Sequence, residues 1–142
     1  MKITYLGHAG FYIETPDAVV VMDPWLSPEG AFDSAWFQFP QNHHLGPWLR
    51  EQLATSSKPR FIYISHEHSD HFDPEYLATL PADVTYIIGN FQRPAVKDAV
   101  TRLRPSQVLV ADHGEKVALP GGGEYSTLSG RLGVESRLWH SL

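Results

Sequence analysis

Short apolar runs, each closed by turn residues, divide the first part of the chain. KITYL (2–6) stops at Gly7, GFYIE (10–14) at Thr15-Pro16-Asp17, and AVVVMD (18–23) at Pro24. Their length and their β-branched and aromatic content predict three strands, and the TPD turn predicts a hairpin, so the chain opens as a β-meander. The pattern then changes. Residues 24–47 hold four prolines and two glycines together with Trp25, Phe32, Trp36, Phe37 and Phe39, and show no period. So many aromatic side chains need something to bury against, which predicts an ordered loop rather than a linker. In WLREQLA (48–54) the apolar positions 48, 49 and 53 share a helical face. RFIYIS (60–65) and VTYIIG (84–89) read as strands buried on both faces, and PEYLATL (74–80) as a short helix with Pro74 in its first turn. A helix over 94–103 and strands over QVLVA (107–111) and KVALP (116–120) complete an α/β layered sheet with a β-rich N-terminus. From Gly121 onward three consecutive glycines and scattered charges predict an irregular tail, 121–142, behind a domain spanning 1–120; VESRLW could add a brief helical turn.

Composition narrows the function. With 142 residues, 42% of them hydrophobic, one domain with its own core is expected. A net charge of −5 with no basic cluster argues against nucleic acid and anionic membranes as partners. No apolar run approaches the roughly 20 residues of a membrane span, and the opening MKITYLGHAGF lacks a signal-peptide core, so a soluble cytoplasmic protein is expected. There is no cysteine. Any metal must therefore be held by histidine and carboxylate.

One stretch supplies such ligands at high density. ISHEHSDHF (64–72) places His66, His68, Asp70 and His71 directly after a buried-type strand. A loop at the end of a sheet strand is where ligands are commonly held. In an extended segment residues 66 and 68 project to the same side, so two imidazoles can converge on one ion, while Asp70 and His71 point past them toward a second. A histidine and carboxylate set suits zinc, iron, manganese or nickel.

The run His66-Glu67-His68-Ser69-Asp70-His71 resembles the HxHxDH signature of the metallo-β-lactamase fold superfamily. YLGHAGFYIET, VVVMDPWL and FIYISHEHSDHFD are similar to its UlaG-like branch. DPWLSPEGAFDSAWFQFPQNHHL is similar to the metallo-β-lactamase-like domain of CMP-N-acetylneuraminate hydroxylase and its bacterial relatives. This resemblance spans roughly residues 2–120. It implies an αββα sandwich with the metal site at the edge of two facing sheets, His66 and His68 serving a first ion and Asp70 and His71 a second. It also implies one or two divalent ions, zinc ahead of iron or manganese, and metal-assisted hydrolysis of an ester, amide or phosphoester in a small-molecule substrate. Asp70 would orient the attacking water and accept its proton.

The resemblance further implies that Asp23 braces the metal loop by hydrogen bonding and that His8 stands beside the site. Asn42, His43 and His44 would border the substrate pocket, and Glu67 would be solvated. In that family a C-terminal half adds further ligands. Here only His113 and His140 follow His71, in settings (ADHGEK, RLWHSL) unlike the later motifs. The expectation is a chain reduced to the N-terminal half, or one whose other half comes from another molecule, with an apolar sheet face left bare unless the tail from 121 or a second copy covers it, a tendency to form homo-oligomers or to be poorly soluble, and little hydrolase activity. Two other functions stand beside the hydrolase: an oxidoreductase related to the hydroxylase, and a non-catalytic metal-binding remnant. A self-contained Rieske module would need two cysteines, which this chain does not have.

Overall fold

The computed structural model describes residues 1–90, 94–112, 114–119 and 124–126. Strands β1 (Lys2–Gly7), β2 (Gly10–Glu14), β3 (Val19–Met22), β4 (Arg60–Ile64), β5 (Thr85–Gly89) and β6 (Gln107–Ala111) form one sheet in sequential order. β1, β2 and β3 pair antiparallel, as the meander predicts; β3, β4, β5 and β6 pair parallel. Each parallel step needs a crossover. The crossovers carry α2 (Gly46–Thr55), α3 (Pro74–Leu77) and α4 (Ala95–Arg102), while the short turn α1 (Ala31–Ser34) lies in the aromatic segment before them.

Register fixes which side chains meet the helices. Tyr12, Val21, Ile62, Tyr86 and Val108 lie side by side across five strands. They pack with Leu49 and Leu53 of α2, Tyr76 and Leu77 of α3, and Val96 and Val100 of α4. Burial of each large aliphatic side chain of this kind contributes about 1.5–3 kcal/mol, so one misplaced register would forfeit several such terms at once. On the opposite face Phe11, Met22, Tyr63, Ile87 and Leu109 form the matching row.

That second face departs from the expected bare surface. Phe61, Tyr63 and Ile87 are buried, and Val117 and Leu119 pack against their cluster. Its apolar positions stay open only toward the edge strand β1, where Ile3 and Tyr5 are 54% and 60% exposed. Glu124–Ser126, predicted to be irregular, forms strand β8 antiparallel to β7 (Lys116–Ala118). Three residues behind a glycine run are too few to show a period. The rest of 121–142, with the VESRLW turn and His140, lies outside the described residues, as does His113.

Two smaller differences bear on the site. α2 begins at Gly46, ahead of the apolar pattern, because Pro47 occupies its first turn where the missing N–H costs nothing. In α1, Phe32, Asp33 and Ser34 all adopt left-handed φ values, a conformation ordinary side chains avoid and that no periodicity can signal. The turn is closed by two backbone hydrogen bonds between Ala31 and Trp36, of 2.8 and 3.2 Å.

Candidate metal centre

The parallel strands β3 and β4 and the β1–β2 hairpin turn end at the same edge of the sheet, and each delivers one component there. After Met22 the chain turns at Asp23 (φ 37), whose N–H still donates to Tyr63 O at 3.0 Å, prolonging the ladder by one bond. β4 delivers Ser65 and the 66–71 loop beside it. The tight turn from Gly7 to Gly10, with Gly7 at φ 109 and His8 at φ 48, brings His8 over both. His71 N and Phe72 N both donate to His68 O, at 2.9 and 2.8 Å, folding the loop back so that His71 meets His66 with ring centroids 4.0 Å apart.

Asp23 organises this loop. Its Oδ1 accepts from Ser65 N at 2.7 Å, and its Oδ2 lies 2.6 Å from Ser65 Oγ and 3.0 Å from His71 Nδ1, all in a site where Asp23 itself is buried. A carboxylate only accepts, so the Ser65 hydroxyl donates to it and His71 carries its proton on Nδ1. With its proton committed, Ser65 Oγ is an acceptor for His66 Nδ1 at 2.9 Å. Both imidazoles are thereby held in the tautomer that leaves Nε2 bare, the form in which histidine binds a metal. Burial first, then the neighbouring His71 and His68, push the His66 imidazole pKa down against the pull of Asp23 and Asp70, which favours the neutral ligand form.

The bare His71 Nε2 lies 3.3 Å from His8 Nε2 and 3.6 Å from Asp70 Oδ2; His8 Nε2 lies 3.0 Å from the same carboxylate oxygen. These three ligand atoms fall within 4.8 Å of one another. One imidazole proton on His8 cannot satisfy both acceptors, and the buried Asp70 Oδ1 has no hydrogen-bond partner among the described residues. An electron-rich cluster with an orphaned carboxylate oxygen, nitrogen and oxygen donors and no sulfur fits a divalent cation. His66 Nε2 and His68 Nδ1, 3.1 Å apart, offer two further donors beside it.

His8, expected beside the site, thus shares the innermost contacts with Asp70 and His71. Asn42 donates from Nδ2 to Leu6 O and Trp25 O, both at 2.8 Å, tying the aromatic segment to β1. His44 lines a cleft that His8 also lines, whereas exposed His43 borders a different one with Glu29 and Arg50. Glu67 is exposed. The sequence pattern did not single out Asp73 or Ser65. Buried Asp73 caps α3 by accepting from Tyr76 N (3.0 Å) and also accepts from Leu26 N (3.1 Å) and Ser27 N (2.8 Å), locking the aromatic segment to the metal loop. The Asp-Pro pair before PEYL carried its capping signal; the bonds to residues 26 and 27 had no local signature.

Comparison with known proteins settles the family. Residues 2–128 match the family model of the beta-lactamase superfamily domain. The chain belongs to the beta-lactamase superfamily. A Mycobacterium tuberculosis protein named for a Rieske 2Fe-2S iron–sulfur centre is 35% identical over 104 residues, covering 72% of this chain and 19% of the relative. The human inactive cytidine monophosphate-N-acetylneuraminic acid hydroxylase is 37% identical over 99 residues, covering 66% of this chain and 18% of its own. The chain therefore spans less than a fifth of the length of these curated relatives. Among solved structures, a possible metal-dependent hydrolase from Veillonella parvula superposes with a TM-score of 0.57 at 17% identity, over 84% of this chain and 44% of that one. A CmlA beta-hydroxylase mutant superposes with a TM-score of 0.58 at 21% identity, over 95% and 26%. The shared fold is metallo-β-lactamase-like, with hydrolase-type and hydroxylase-type neighbours.

Proposed function

We propose that the chain carries the metal-binding loop of a metal-dependent hydrolase acting on a small-molecule ester, amide or phosphoester. The observation that carries this reading is the convergence of His8 Nε2, His71 Nε2 and Asp70 Oδ2 beside His66 and His68. His66, His68, Asp70 and His71, joined by His8, would hold one or two divalent ions, zinc ahead of iron or manganese. Such an ion, when bound, would lower the pKa of its water toward about 7 and polarise a carbonyl or phosphoryl oxygen. The residues supply the rest. Asp23 and Ser65 keep His66 and His71 in the ligating tautomer, and Asp70 would orient the attacking water and accept its proton. Expressed protein should retain stoichiometric metal, and the double variant His66→Ala/His68→Ala should lose most of it while staying folded. Unchanged metal content in that variant would refute the assignment, and a panel of esters and phosphodiesters would identify the bond.

A second reading is favoured by the names of the curated relatives, which point to iron–sulfur and hydroxylase chemistry at 35–37% identity. Without cysteine these 142 residues hold no Rieske centre, so the electrons would be delivered to them from an iron–sulfur module outside this stretch. Dioxygen consumption by iron-loaded protein with a chemical reductant, in the absence of ester turnover, would select that reading.

A further inference from the structure

The cleft beside His8, about 500 Å³ in volume, falls in the range of small-molecule sites. Its wall is an aromatic rim. Tyr5, Trp36, Phe37 and Phe39 line it and are 60%, 41%, 50% and 95% exposed. Phe39 buries almost nothing, so the fold does not account for an aromatic residue at that position. The floor is fixed by backbone and amide groups. A Cβ on Gly7 would stand 1.8 Å from Gln38 Nε2, so only glycine lets that amide lie against the strand, and Asn42 pins the same turn through its two 2.8 Å bonds. None of the described residues lining the cleft is Lys, Arg, Asp or Glu; apart from His8 and His44, it presents only apolar, aromatic and amide side chains. His8 belongs to the cleft and to the donor cluster alike, with Trp36 5.0 Å from its ring, so a group held on the rim directs its neighbouring bond at the cluster.

We infer that this cleft is the recognition subsite of the same centre and takes an uncharged, flat, apolar group, such as an aromatic ring, in preference to a phosphorylated one. An anion seated on the rim itself would lose hydration with no Lys or Arg side chain to replace the water, whereas a flat ring stacks on Trp36, Phe37 and Phe39. Only the direction of the reacting bond rests on the hydrolase reading; the binding preference does not. The probes are 2-naphthol and 2-naphthyl phosphate, followed by ligand-observed NMR and tryptophan fluorescence on the full chain. On metal-depleted protein, where no ion can hold the phosphate at the donor cluster, 2-naphthol should bind at least tenfold tighter than its phosphate. Phe39→Ala, which removes an exposed side chain and leaves the fold intact, should weaken 2-naphthol several-fold, and Phe37→Ala/Phe39→Ala about tenfold. Equal or tighter binding of the phosphate, no binding of 2-naphthol, or an unchanged affinity in Phe39→Ala would overturn the inference. Metal retained in the histidine double variant would sink the hydrolase reading alone and leave the subsite standing.

Discussion

Two segments meet at the candidate centre, and they are held in opposite ways. The loop after β4, residues 65–73, is bound to the sheet edge by short contacts to a buried carboxylate, with Ser65 and His71 both on Asp23. The segment after β3, residues 24–45, is anchored at a few points: Asp73 to Leu26 and Ser27, Ser69 Oγ to Phe32 N at 2.8 Å, and Asn42 to Leu6 and Trp25. Between those anchors it exposes Phe32, Trp36, Phe37 and Phe39. Donor atoms that must meet one ion tolerate little displacement, so they sit on the rigid sheet edge. A wall that meets varied ligands by apolar contact tolerates more, so it is carried by a tethered loop.

The strongest way to break this contrast is Asp23→Ala. It leaves Ser65 N, the Ser65 hydroxyl and His71 Nδ1 without their acceptor in a buried site, at about 1–3 kcal/mol for each stranded group. Urea unfolding should show a loss of roughly 3 kcal/mol or more, with metal content falling alongside. A variant within about 1 kcal/mol of the parent would mean that the loop holds itself.

Asp73→Ala tests the tether instead. Loss of the α3 cap and of the acceptor for two loop N–H groups should cost about 2 kcal/mol. Hydrogen exchange should quicken at Leu26 and Ser27 while the amides of β4 and β5 keep their protection. Equal acceleration in both would show that the two segments are not separately anchored.

Ser65→Ala sharpens the account of the rigid side. It removes the acceptor that fixes His66 and leaves His71 on Asp23, so metal affinity should fall about 10- to 100-fold. The fold should persist by circular dichroism. Unchanged affinity would mean that His66 needs no such brace.

The smallest effect lies far from the centre. Lys58 hydrogen-bonds Glu14 at 2.8 Å and holds its carboxyl below the usual value, and Arg60 does the same for Asp83. A lowered folded pKa means a contribution present above the unfolded value, near 4.5 for Glu14 and 3.8 for Asp83, and lost as pH falls through the lower folded value. Both pairs are solvent-screened, so Glu14→Gln/Asp83→Asn should flatten the stability profile slightly below pH 4.5 and shift it little at about pH 7. A large change near neutral pH would show that the sheet edges depend on these ion pairs.

Much of the fold was legible where physics is local. VVVM, RFIYI and TYIIG are continuous apolar runs because parallel strands covered on both faces must be, and their observed spans differ from the expected ones by a residue or two. The crowding of His66, His68, Asp70 and His71 into one short loop behind a buried strand was legible because it needs no distant contact to be seen. His8 and Asp73 were different. Each acts through partners far along the chain, His8 on His71 63 positions away and Asp73 on Leu26 47 positions away; the family resemblance placed His8 beside the site but not in contact with Asp70 and His71, and Asp73 carried only its local capping signal.

The sequence by itself determined the order of strands and helices, the absence of thiolate chemistry and the loop that offers ligands, since each follows from neighbouring side chains or from composition. Only the tertiary structure decided that the His8 turn, Asp23 and Ser65 reach one edge of one sheet, which ligand nitrogens are left bare, and that the exposed aromatic side chains gather beside them. Those outcomes depend on antiparallel and parallel pairings between strands separated by up to several dozen residues. The entropy of closing such loops is repaid by packing across the whole sheet rather than by any local preference.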